Sequence, residues 1–153
     1  MNKDNYAYVI IGIVLLLIIA VMVPKYINGN TTDSKVKISE NVEKIEIYHF
    51  HATQQCSSCI AVGNLAEATV NTYFSDELKS GKVVFASINI DLPENKEIVD
   101  KYEAKGSSLL IGTYYEYGTF TKEENTNVWY KIGNKEDYMN YLKGVIEGKL
   151  VGN

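Results

Sequence analysis

The only two cysteines of the chain stand together, in Gln55-Cys56-Ser57-Ser58-Cys59-Ile60. Before them runs Lys44-Ile45-Glu46-Ile47-Tyr48-His49-Phe50, whose β-branched and aromatic content reads as a strand. After them Cys59, Val62, Ala66, Val70 and Tyr73 recur at helical spacing. A Cys-x-x-Cys pair at a strand-to-helix junction reads as a thiol–disulfide redox centre. A free thiol is mostly protonated at neutral pH, but a helix N-terminus offers unpaired N–H groups and partial positive charge, which favour the thiolate. The first cysteine can then attack a disulfide, and the second, one turn on, can release the mixed product.

The 153 residues allow one ordinary domain and some extra length. Net charge is −4 and every basic residue is Lys. Bidentate readout of phosphates and guanine leans on Arg, so no nucleic-acid partner is expected. The 12 Tyr are scattered, as suits a half-buried sheet surface better than a binding box.

The first 41 residues do not belong to the domain. Residues 1–6 form a short tail, and residues 7–25 read as a transmembrane anchor. Ala7 to Val23 carries no charge and as a helix would span roughly 25 Å at about 1.5 Å per residue. Tyr6, Tyr8 and Tyr26 suit the interfaces. A cleaved signal peptide is the alternative, but the apolar run is long for one and no small-x-small site follows it. Lysines flank both ends, so charge does not fix orientation. A short tail ahead of a first span places the domain outside the cytoplasm, where two cysteines can stay paired. Residues 26–41 are a polar linker, and the folded unit covers residues 42–150.

Within that unit the helix after the cysteines takes Thr53 or Gln55 as its cap and ends before Ser80-Gly81. A second strand covers Lys82 to Ile90. Asp91-Leu92-Pro93-Glu94 reads as a helix start with Asp91 as N-cap, and Gly106 as that helix's end. Ser108 to Tyr115 is a third strand. Tyr117–Phe120 and Val128–Ile132 supply further strand segments across a polar loop at Lys122–Asn127. Asn134 caps a last helix bearing Tyr138, Tyr141, Leu142, Val145 and Ile146. The order β-α-β-α-β-β-α implies an α/β fold, a central mixed sheet flanked by helices.

Order, length and motif position over residues 42–150 resemble the thioredoxin-like family. The strand into Cys56-Ser57-Ser58-Cys59, the segment Asn89-Ile90-Asp91, and Tyr102-Glu103-Ala104-Lys105-Gly106 ahead of a strand carry the likeness. More narrowly, His49-Phe50-His51 and Val128-Trp129-Tyr130 are similar to a group labelled nitrophenyl compound nitroreductase subunit ArsF, although no flavin motif is visible. The resemblance implies a thioredoxin-like fold and a redox-active pair, Cys56 and Cys59. Three departures stand out. Gln55 replaces the family's Trp, and Ser57-Ser58 its Gly-Pro. Ser107 or Ser108 occupies the place of the family's cis-proline, where a trans bond is expected because a non-proline cis bond is costly. His49 falls where the family has a buried acid, given one inserted residue before Cys56.

His51, close to Cys56, could stabilise a thiolate as imidazolium, and His49 could tune the pair likewise. A structural disulfide is a weaker reading, since so short a loop constrains the unfolded chain little. A binding module is the rival from another class: Cys56, Cys59, His51 and His49 offer ligands to a soft metal or metalloid. A non-catalytic subunit of a membrane redox complex is the third. The expectation is thiol–disulfide exchange by a single-pass membrane protein, with Cys56 as nucleophile and Cys59 as resolving thiol. No bound cofactor is needed. The partner is a protein thiol or disulfide, such as a membrane dithiol carrier.

Overall fold

The computed structural model describes residues 41–152. The expected tail and anchor and nearly all of the linker lie outside the described residues. Among the described residues no helix is long and apolar enough to cross a membrane.

The elements are β1 (Val42–His51), α1 (Ser57–Tyr73), α2 (Ser75–Ser80), β2 (Val83–Asn89), α3 (Lys96–Tyr102), β3 (Ser108–Tyr115), β4 (Phe120–Glu124) and α4 (Lys135–Leu150). The strands form one mixed sheet in the order β2-β1-β3-β4. β1 runs parallel to β2 and antiparallel to β3, and β4 returns antiparallel along β3. This is the helix-flanked mixed sheet that the sequence led us to expect.

Successive strand residues point to opposite faces, and here both faces are covered. Ile45 and Ile47 of β1, Leu109 and Ile111 of β3 and Val83 of β2 pack against Val62, Ala66 and Val70 of α1 and Leu142 and Ile146 of α4. The alternate residues Tyr48, Phe50, Ile88 and Leu110 pack against Tyr102 of α3. Each large side chain so buried contributes about 1.5–3 kcal/mol, and α1 is thereby fixed against the strand that leads into its own N-terminus.

Several local expectations are corrected. The long helical stretch breaks at Phe74, and Gly81, at φ 76°, ends α2 rather than α1. Asp91 is not an N-cap: its carboxylate accepts from the Thr53 backbone N–H at 2.8 Å, and a 3-10 turn at Pro93–Asn95 precedes α3. Glu103, not Gly106, caps α3, in the left-handed region at φ 55°. Lys122 to Glu124 lies within β4 instead of a loop; a short, charged strand is tolerated at a sheet edge. Val128-Trp129-Tyr130 belongs to a 3-10 turn, Thr126–Tyr130, which drops Val128 into the core. Asn134 does cap α4, accepting from the N–H groups of Glu136 and Asp137.

Candidate functional site

The N-terminus of α1 has its cysteine as its own cap. Cys56 holds extended backbone angles, φ −78° and ψ 162°, and its Sγ accepts a hydrogen bond from the Cys59 N–H at 3.2 Å. Neither Thr53 nor Gln55 does this. Thr53 is taken up elsewhere: besides its bond to Asp91, its Oγ1 accepts from Asn89 Nδ2 at 3.0 Å. The His51 carbonyl in turn accepts from the Ile90 N–H. The loop from β1 to Cys56 is therefore pinned to the end of β2, which sets where the sulfur stands. Cys56 is exposed and Cys59 half-buried. They are joined as a disulfide with Cα atoms 5.1 Å apart.

Beneath that turn lies His49, 2% exposed. Its Nδ1 is 3.1 Å from Ser87 Oγ on β2, and no group among the described residues hydrogen-bonds its Nε2. Loss of solvent lowers its pKa to about 4, helped by the neighbouring His51, with the Cys59 backbone a lesser, opposing influence. The imidazole is thus neutral at physiological pH, able to accept a proton but not to act as a standing positive charge. Gly63 explains how it fits. A Cβ at that position would lie 2.4 Å from His49 Nδ1, so a glycine in mid-helix leaves the notch the ring occupies. His49, Ser87 and Gly63 also line a cavity of about 90 Å³ with Gln55, Ile60, Asn64, Glu67 and Phe85.

His51 shares the strand face with His49, and the rings stack 5.4 Å apart. Its Nδ1–H donates to the Ala52 carbonyl at 2.9 Å, leaving Nε2 available. Ser108 opens β3 beside Phe50, so it sits at the strand end from which the chain runs on to the cysteines. Its hydroxyl donates to the Gly106 carbonyl at 3.3 Å. Ser107 and Ser108 line a cleft of about 410 Å³ with Glu103, Lys105 and Glu124. The peptide bonds of the described residues are all trans, those of Ser107 and Ser108 included. Among the described residues no three His, Cys, Asp or Glu side chains converge on a metal position. With the cysteines joined, the ligand set Cys56, Cys59, His51 and His49 is not assembled.

Sequence reasoning reached Cys56, Cys59, His49 and His51 but not Ser87 or Gly63. An isolated glycine within a helical stripe is a sign of close packing; nothing local to Ser87 distinguishes it.

No protein-family model matches the chain, and no curated protein matches it. Among solved structures, the Trx4 domain of ERdj5 is similar at 15% identity, over 73% of this chain and 84% of that one, with a TM-score of 0.49. A thioredoxin from Thermus thermophilus is similar at 15% identity, over 69% of this chain and 75% of that one, with a TM-score of 0.41.

Proposed function

We propose that the chain is a thiol–disulfide oxidoreductase, held to a membrane by residues 7–25 with residues 42–150 outside the cytoplasm. One observation carries the chemistry: an exposed Cys56 sulfur caps the N-terminus of α1, with Cys59 bonded to it from one turn on. The same N–H that reaches the disulfide sulfur would reach a thiolate, and such bonds strengthen when the acceptor is charged. In the reducing direction, Cys56 thiolate attacks a partner disulfide, forming a mixed disulfide and expelling a partner thiolate. Cys59 thiolate then attacks Cys56 Sγ, forming the Cys56–Cys59 bond and expelling the second partner sulfur. The partner gains two electrons and this chain loses two. His49, a neutral imidazole beneath the turn, and His51, which presents Nε2 at the rim, are the groups that tune the pair. Ser107 and Ser108, at the end of the sheet from which the chain runs on to the cysteines, are the residues that would meet a partner segment. A membrane dithiol carrier is the counterpart that resets the pair. The narrower resemblance, through His49-Phe50-His51, adds a connection to a reductase.

The test is trapping. Cys56→Ser abolishes reduction of a model disulfide, and Cys59→Ser accumulates a mixed disulfide on Cys56. Wild-type rates in both variants overturn the reading. Titration against glutathione gives the direction: a midpoint near about −270 mV marks a reductant and one near about −120 mV an oxidant.

A further inference from the structure

The end of the sheet opposite the disulfide carries a residue that the fold does not explain. Tyr115 and Thr119 close the β3–β4 hairpin through a Tyr115 N–H bond to the Thr119 carbonyl at 2.9 Å. Between them Tyr117 and Gly118 both have positive φ, 70° and 80°. With Glu116 they make a three-residue loop, and a left-handed position in it suits Asn, Asp or Gly. A bulky side chain is disfavoured there, and Tyr117 recovers nothing by packing, for it is fully exposed. A left-handed, unburied aromatic at a loop tip points to a contact made outside the domain.

The place of that tip is set by a second observation. Asn41, where the chain enters the domain, is tied to the hairpin twice. Its carbonyl accepts from the Glu116 N–H at 3.0 Å, and its side-chain amide donates to the Glu116 carboxylate at 3.1 Å. The residue beside Tyr117 is therefore fastened to the point from which the chain runs back towards the apolar segment Ala7 to Val23. Of the two ends of the sheet, this is the one tethered to the apolar segment.

We propose that the Tyr117–Gly118 tip is a membrane-contact site, with Tyr117 seated in the headgroup region of the bilayer. A tyrosine fits that layer because its ring is apolar and its hydroxyl can stay hydrated. The proposal rests on the reading of residues 7–25 as an anchor. It fixes the disulfide at the far end of β1, ten residues from the entry point, roughly 30 Å from the lipid at about 3.3 Å per residue. Partners are then met well above the bilayer surface.

The test uses the full chain in phosphatidylcholine vesicles, with Trp129→Phe to remove the native tryptophan. Tyr117→Trp places the probe at the tip, and Tyr130→Trp, on the 3-10 turn after β4, places it at the disulfide end. The expected result is blue-shifted emission from position 117, lost when the acyl chains are brominated, with position 130 unmoved and unquenched. Wild-type chain treated with a membrane-impermeant diazonium reagent gives the same answer without substitution: Tyr117 is spared several-fold relative to Tyr130. A chain that floats with the vesicles but shows equal emission or labelling at both positions overturns this proposal alone. Protection that scales with protein rather than lipid concentration assigns the tip to a second copy and also overturns it. A chain that does not float removes the anchor, and this proposal with it.

Discussion

Glu46 and His49 lie on the same strand, point to opposite faces of the sheet and are both buried, yet burial leaves them in opposite states. Glu46, 6% exposed, faces α3 and is surrounded by donors. Lys44 Nζ reaches it at 2.7 Å, Tyr114 OH donates at 2.7 Å and Tyr102 OH at 2.8 Å. Burial alone would raise its pKa, but the Lys44, Tyr114 and Tyr102 bonds together outweigh it and hold the carboxyl below its ordinary value. Burial first, and the Glu46 bond after it, push the Tyr102 hydroxyl strongly upward, so that it stays a donor. His49 faces α1 with a single side-chain partner, and there desolvation wins. Burial penalises charge; the number of donors or acceptors supplied decides whether the charge survives. One face spends its buried group on a lock that binds α3 to the sheet. The other keeps a neutral, under-bonded group beneath the first turn of α1.

Glu46→Ala should break this contrast most strongly. It strands the buried Tyr102 hydroxyl and removes the partner of Tyr114 and Lys44, and the expected loss is about 3 kcal/mol in urea unfolding. A loss below about 1 kcal/mol would show that Glu46 is not the lock. Gly63→Ala and Gly112→Ala come next, at about 1–3 kcal/mol each. Their Cβ atoms would lie 2.4 Å from His49 Nδ1 and 1.9 Å from Tyr102 Oη. A double-mutant cycle should show that His49→Ala recovers part of the Gly63→Ala loss but none of the Gly112→Ala loss. Acid unfolding separates the two groups by window. With its folded pKa lowered to about 4 from 6.5, His49 takes up its proton more readily unfolded, so stability falls as pH drops from 6.5 to 4 and then levels. Glu46, lowered from 4.5, contributes stability that is present above that value and lost as pH falls below it. His49→Leu should flatten only the upper window, and Glu46→Gln only the lower; the reverse assignment would refute the comparison. The smallest effect is His49→Leu with Ser87→Ala at pH 7, within about 1 kcal/mol, because both ends of a hydrogen bond are removed together.

The sequence shows one side of this contrast and hides the other. Alternation in Lys44-Ile45-Glu46-Ile47 correctly orients Ile45 and Ile47 inward, but by the same rule Glu46 reads as solvent-facing. It is buried because α3 covers the second face, and its tyrosine partners lie 56 and 68 residues away. No local pattern carries pairings of that range. The cysteine pair and the strand leading to it were legible because spacing and periodicity are local. The notch at Gly63 was visible only as a glycine out of place. The edge strand β4 was misread because charge along Lys122-Glu123-Glu124 resembles a loop, and only pairing with β3 distinguishes it.

Because Cys56 Sγ is the acceptor that completes the first turn of α1, the helix and the sulfur share one free energy. Whatever the turn gains when that acceptor becomes a full anion, it gains only in the reduced protein. By linkage, each 1.4 kcal/mol of that preference shifts the two-electron midpoint about 30 mV in the oxidising direction. Helix fraying and electron affinity are thereby the same quantity measured two ways, and a substitution far along α1 that loosens its start would retune the couple without touching either sulfur.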